Sequence, residues 1–207
     1  MLILDNDGVL VDSEPIANRV LSKLLTEYGD PTTFEETVER YMGTSLAHTR
    51  QVVEAKLGRP LPADLEDRYH DELFTRMRAE LRPINGIEAA LDAIDLPTCV
   101  ASSGTHERIE FALKTTGLYP RFAGRIFSAE DVKRGKPFPD LFLYAAEQVG
   151  ADPAACVVVE DSPYGVQAAK AAGMTVIGYA AMTPAERLIE ADTLITTMAD
   201  LPAGLLA

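Results

Sequence analysis

Four carboxylates fall within thirteen residues near the start of the chain, LILDNDGVLVDSE at positions 2–14: Asp5, Asp7, Asp12 and Glu14. Two chemistries use such a cluster. One is a calcium loop: counted from Ile3, the positions of Asp5, Asp7, Gly8, Leu10 and Glu14 match most of the helix–loop–helix calcium pattern. The other is phosphoryl transfer, in which one carboxylate attacks phosphorus and a second moves a proton. Ile3 stands where the first calcium ligand should be, and only Met1 and Leu2 precede it, which leaves no entering helix. Phosphoryl chemistry is the expectation that survives.

Such carboxylates need a scaffold. Apolar runs at 1–4, 98–102, 125–128, 155–159 and 175–179, with a weaker one at 193–197, are nearly continuous rather than alternating. That pattern suits strands of a parallel sheet buried on both faces. Helical patterns fill the gaps at 86–94, 105–116, 139–149 and 163–172. The last has Ser162 placed as N-cap, Pro163 in its first turn and Gly173 just past its end. Thr183-Pro184-Ala185-Glu186 reads as a capping box opening one more helix. Strand and helix in alternation predict an open, doubly wound (Rossmann-like) α/β sheet.

Residues 14–82 break that rhythm. Helical periodicity runs through them, beginning with an apolar stripe of Ile16, Val20, Leu21, Leu24, Leu25 and Tyr28. Thr33 with Glu36 forms a capping box, Ser45 is placed to cap a third helix, and 61–81 supplies a fourth. The expected organisation is an α/β core of 1–13 and 83–207, with an all-helical insert at 14–82.

In an open α/β sheet, ligands bind beyond the carboxyl ends of the strands. The polar residues ending the apolar runs should therefore converge: Asp5 and Asp7, then Ser102 and Ser103, then Lys136 in GKPFPD, then Glu160 and Asp161. Carboxylates suit magnesium, which takes hard oxygen ligands. A hydroxyl and an ammonium suit phosphate oxygens. Taken together, DNDGVLVDSE, SSGTHERI, GKPFPD and VVVEDSPYGVQAAKAAGM resemble the motifs of the haloacid dehalogenase-like hydrolases, in order from Asp5 to Gly173. The similarity is to the phosphatase and phosphomutase branch with a helical cap inserted after the first motif. The resemblance implies that Asp5 is the nucleophile forming an aspartyl-phosphate, and that Asp7 is the general acid and then the base. It implies that Gly8, Ser102, Ser103 and Lys136 contact phosphate, with Ser102 and Lys136 part of the catalytic set. It also implies a Mg2+ cofactor held by Asp161, by Asp5 and the carbonyl of Asp7, and directly or indirectly by Glu160.

Composition narrows the partners. A net charge of −13 argues against a nucleic-acid partner. It also means an anionic substrate needs a local cation. Cys99 and Cys156 both lie in apolar runs and read as buried free thiols. No run approaches the ~20 residues of a membrane span, and the chain opens on MLIL with no basic leader, which reads as cytoplasmic. The expected activity is hydrolysis of a small phosphomonoester, a sugar phosphate, by a monomer or weak dimer whose cap closes over the site. The rival is a β-phosphoglucomutase-type mutase. By resemblance, that enzyme carries an arginine where this chain has Leu46 and a histidine where it has Ala17, which favours hydrolysis. A haloacid dehalogenase leaves Asp7, Glu160 and Asp161 without a role. A catalytically silent binding protein is disfavoured because every motif position is filled. The stretch IFSAEDVKRGKPFPD resembles bacterial sugar-phosphate phosphatases, including those for 6-phosphogluconate.

Overall fold

A computed structural model describes residues 1–41, 44 and 46–205. The chain divides into two compact units, Met1–Asp12 with Arg82–Ala207, and Ser13–Leu81. Strand β1 (Leu2–Leu4) opens the first unit, and the chain then passes into the second.

The second unit is built from α1 (Glu14–Glu27), α2 (Phe34–Tyr41), α3 (Leu46–Leu57) and α4 (Leu65–Glu80). Pro15 sits in the first turn of α1, where its missing N–H has no intrahelical role. The periodic stripe becomes the inner face: Val20, Leu21, Leu24 and Leu25 pack with Tyr41, Val53, Leu61 and Leu65. Each such leucine contributes ~1.5–3 kcal/mol by leaving water. The expected box at α2 is formed, with Glu36 N–H donating to Thr33 Oγ1 at 3.2 Å and Thr33 N–H to Glu36 Oε2 at 2.9 Å. Ser45 lies outside the described residues. Arg40 and Arg76 pair with acidic residues one turn away, Glu36 for the former and Glu72 and Glu80 for the latter.

The first unit continues through α5 (Ile87–Asp92), β2 (Thr98–Ser102), α6 (His106–Thr115), α7 (Tyr119–Phe122) and β3 (Ile126–Ser128). It closes with α8 (Asp140–Gln148), β4 (Val157–Glu160), α9 (Pro163–Ala171), β5 (Thr175–Tyr179), β6 (Thr193–Ile195) and α10 (Leu201–Gly204). The six strands form one sheet in the order β3-β2-β1-β4-β5-β6, and every pairing is parallel. The continuous apolar runs are explained by burial on both faces. Ile3, Cys99, Val158 and Val176 face a core completed by Leu141, Phe142 and Ala145 of α8 and Val166 and Ala169 of α9. Leu4, Val100, Val159 and Ile177, one position on, point the other way and are equally buried. Both cysteines are free and buried. Among the described residues, no helix is long and apolar enough to cross a membrane.

One expected helix does not form. Residues 183–186 open only a 3₁₀ turn, Ala185–Arg187, with Pro184 at the cap position and no side-chain cap bond. Thr183 is buried instead. A capping box starts a helix only when an apolar stripe comes after it. Here Leu188 is buried but Ile189 is 80% exposed, and β6 begins at Thr193.

Candidate active site

The site is assembled at the carboxyl ends of β1, β2 and β4. Register explains the convergence: Leu4 stands beside Val100 on one side and Val159 on the other. Asp5, Ser102 and Glu160 therefore leave the sheet at neighbouring points. The Asp5 N–H still donates to the Val159 carbonyl at 3.1 Å, which carries the ladder into the site. The chain then turns sharply. The amides of Leu10 and Val11 both donate to the Asn6 carbonyl at 3.0 Å, and Gly8 N–H donates to Val11 O at 2.9 Å. The turn requires φ +80° at Gly8, and a Cβ there would lie 2.0 Å from Asp161 Oδ2. Only glycine lets the Asp161 carboxylate rest against this loop.

Lys136 is the hub. Its side chain is 4% exposed, and its Nζ donates to Asp5 Oδ1 at 2.7 Å, to the Ala101 carbonyl at 3.1 Å and to Glu160 Oε1. The Phe142 ring lies beneath it, 4.9 Å from Nζ to the centroid. An ammonium has three donors, and all three are engaged, so Lys136 fixes the nucleophile candidate and Glu160 in one geometry. The second oxygen of Glu160 accepts from Ser162 N–H at 3.0 Å and Ser162 Oγ at 2.9 Å. That same hydroxyl caps α9 by accepting from Gly165 N–H at 3.0 Å. A Cβ at Gly165 would fall 1.9 Å from Glu160 Cδ, so this glycine too exists for close approach.

Burial pushes Asp5 up to about 7; Lys136 opposes the shift, while Glu160 and Asp7 add to it. Burial works against the Lys136 ammonium, but Asp5 and then Glu160 outweigh it, so the amine is held above its ordinary value. Asp5, Glu160 and Asp161 each offer an oxygen, all within 4.8 Å of one another, and all three residues are buried. With Lys136, fully ionised, the group carries three negative charges and one positive. The excess of two matches a divalent cation, and the donors are all hard oxygens. These residues fit a magnesium-type ion. A cavity of about 170 Å³, lined in part by Gly8, Asp12, Asn85, Asp161 and Tyr179, flanks the group within the same unit. It has room for several waters at ~30 Å³ each, as a partly hydrated cation requires.

Asp7 stands apart from that trio. Its Oδ1 accepts from Arg108 Nη2 at 2.9 Å and its Oδ2 from Asn6 Nδ2 at 3.3 Å. Ser102 is buried, and its Oγ accepts from Gly104 N–H at 3.2 Å. Ser103 is exposed. His106 pairs with Asp131, its Nε2 lying 2.9 Å from Oδ1, and Arg134 pairs with Asp140. Sequence reasoning did not pick out three contributors: Arg108, Gly165, and Ser162 as a donor to Glu160. The SSGTHERI and EDSPYG motifs contain all three, but nothing local in either motif says which side chain touches a carboxylate.

A parallel sheet with a cation-ready acidic rim, a buried lysine bridging two carboxylates and a third carboxylate held on a separate arginine suits a hydrolase of the phosphoryl-handling class. The chain belongs to the haloacid dehalogenase-like hydrolases, whose family model matches residues 1–173. It is 32% identical over 181 residues to the 6-phosphogluconate phosphatase of Escherichia coli (strain K12), covering 87% of this chain and 82% of that protein. A haloacid dehalogenase-like protein of unknown function from Agrobacterium tumefaciens str. C58 is 42% identical, with a TM-score of 0.92 and 99% and 96% of the two chains covered. A putative beta-phosphoglucomutase from Thermotoga maritima is 27% identical, with a TM-score of 0.80 over 99% and 97%.

Proposed function

We propose that the protein is a magnesium-dependent phosphatase that hydrolyses a small phosphorylated sugar or sugar derivative through an aspartyl-phosphate on Asp5. The observation that carries this reading is the Lys136 bridge between Asp5 and Glu160 with Asp161 alongside. It leaves Asp5 Oδ2 to attack phosphorus while Oδ1 is held. Asp5, Glu160, Asp161 and the carbonyl of Asp7 are the residues that would hold the cation. When bound, it supplies positive charge to the phosphoryl oxygens and offsets the surplus of carboxylates.

The rest is work for the chain's own side chains. Asp7 gives its proton to the leaving oxygen as the P–O bond breaks, then takes one from the water that cleaves the aspartyl-phosphate. Ser102 Oγ donates to a phosphoryl oxygen, and Lys136, its side chain buried, adds a fixed positive charge beside the reacting group. The sugar-phosphate class is supported by the printed activity of the E. coli relative. The −13 net charge makes the local cations necessary for any phosphate ester to enter.

A second reading, net phosphoryl transfer within a sugar phosphate, is favoured by the likeness to the putative beta-phosphoglucomutase and opposed by Leu46 and Ala17, which by the sequence resemblance take the places of an arginine and a histidine in a mutase of that type. Phosphate release from a panel of sugar phosphates, with Mg2+ and with chelator, tests both. Metal-dependent release abolished by Asp5→Asn is expected. Conversion of β-glucose 1-phosphate to the 6-phosphate without phosphate release would select the mutase, and full activity of Asp5→Asn would remove the covalent mechanism.

A further inference from the structure

Arg108 has no role in the proposed hydrolysis so far, yet it is bonded to the acid–base candidate from 101 positions away in sequence. Its placement is firm. It sits in the first turn of α6, where its own N–H donates to the N-cap Thr105 Oγ1 at 3.2 Å. The turn leading to it is pinned three times: Gly104 N–H to Ser102 Oγ, Ser128 Oγ to Gly104 O at 2.6 Å, and His106 N–H to Glu130 Oε2 at 2.8 Å. A Cβ on Gly104 would lie 3.6 Å from both Arg108 Cδ and Ser102 Oγ. The arginine stem and the candidate phosphate hydroxyl thus both border Gly104, and the arginine head lies on Asp7. The side chain is only partly buried, at 21% exposed.

The reaction places a demand on this pair. To serve the leaving oxygen, Asp7 must direct one carboxyl oxygen to it at ~2.7 Å. A guanidinium nitrogen bonded to the other oxygen of the same carboxyl then lies on the order of 5 Å from the ester oxygen. That separation suits an acceptor on the carbon next to the ester carbon. We propose that Arg108 is a specificity-determining residue: its guanidinium, held on Asp7 in this structure, takes up an acceptor oxygen on that neighbouring carbon of the leaving group. The substrate class is then phosphomonoesters bearing a vicinal hydroxyl or carboxylate, as polyols, sugars and hydroxy acids do. The inference rests on the phosphatase reading and says which phosphomonoesters it serves. A planar fork of donors suits either oxygen source.

The test is a cycle of residue against substrate group. kcat/KM is measured for wild type, Arg108→Ala and Arg108→Lys on three esters of similar size: glycerol 1-phosphate, phosphoglycolate and propyl phosphate. Wild type should prefer the first two over propyl phosphate. Arg108→Ala should lose ~10-fold or more on one or both of them, and less than about 3-fold on propyl phosphate. Arg108→Lys should recover part of the loss, and a larger loss on glycolate than on glycerol identifies the carboxylate as the preferred acceptor. An equal loss on all three esters, in Arg108→Ala or in a folded Arg108→Lys, makes the arginine a general positioning residue for Asp7 and overturns the proposal. So does a wild type without the preference. Release of phosphate from none of the three by wild type with Mg2+, while a member of the sugar-phosphate panel is hydrolysed, overturns this inference alone; release from neither set strikes the phosphatase reading itself and takes this inference with it.

Discussion

Replacing Asp5 by asparagine should make the metal-free protein more stable at neutral pH. Asp5 is buried beside Glu160 and Asp7, and even with Lys136 against it, it ionises only at about 7. An unfolded aspartate ionises near 3.8. Between these values the folded chain keeps a proton that the unfolded chain has lost. Stability therefore falls as pH rises through this window, the reverse of the usual salt-bridged aspartate. At ~1.4 kcal/mol per pH unit the full span is worth about 4 kcal/mol. The asparagine side chain would mimic the protonated carboxyl at every pH and remove the penalty. With a urea m-value of ~2 kcal/mol/M, wild type in chelator should lose up to ~2 M in midpoint between pH 4 and pH 8 relative to Asp5→Asn. Millimolar Mg2+ should restore most of the wild-type loss and do little for the variant. Paired urea titrations by circular dichroism, with and without chelator, read this directly. Parallel pH profiles for the two proteins in chelator would show that Asp5 carries no such strain, and the charge argument for a cation at this site would go with it.

Other consequences are simpler to read. Lys136→Met should remove activity and, by leaving two buried carboxylates without their cation, cost ~3–5 kcal/mol in urea unfolding at neutral pH; a variant as stable as wild type would contradict the hub geometry. Gly8→Ala should fold but need at least ~10-fold more Mg2+ for half-maximal activity, because the new Cβ displaces Asp161; metal titration of activity measures this. Ser162→Ala should cost ~1 kcal/mol as a lost helix cap and also lower activity through Glu160, two effects separable by unfolding and kinetics. Burial pushes the Cys99 thiol up to about 12, so iodoacetamide at pH 8 should leave Cys99 unmodified in native protein and alkylate it in urea, as read by mass.

Much of the rim was legible because strand ends are local signals. A buried apolar run that stops at Asp5, Ser102 or Glu160 marks both the strand's limit and the exit point of a polar side chain. β4 extends further than its apolar residues, through Glu160, because the ladder to β5 continues to Gly178. The TPAE box misled because capping residues describe how a helix starts, and only the burial of the residues after them decides whether one forms. The Arg108–Asp7 pair and the Gly165–Glu160 approach were hidden for a different reason. Each joins segments whose separation in space is set by strand order or by a tight turn, and β3-β2-β1-β4-β5-β6 is not written in any single segment.

The position of β1 has a consequence for how the molecule comes into being. Its three residues sit in the middle of the sheet, with Leu2 paired to Thr98 on one side and Val157 on the other. Both pairings join residues far apart in the chain, and such distant closures slow folding. A chain cut before residue 157 would leave LIL as a bare apolar edge, open to pairing with other chains. Hydrolytic power and protection from aggregation would then arrive in the same step, when β4 docks and brings Glu160 and Asp161 with it.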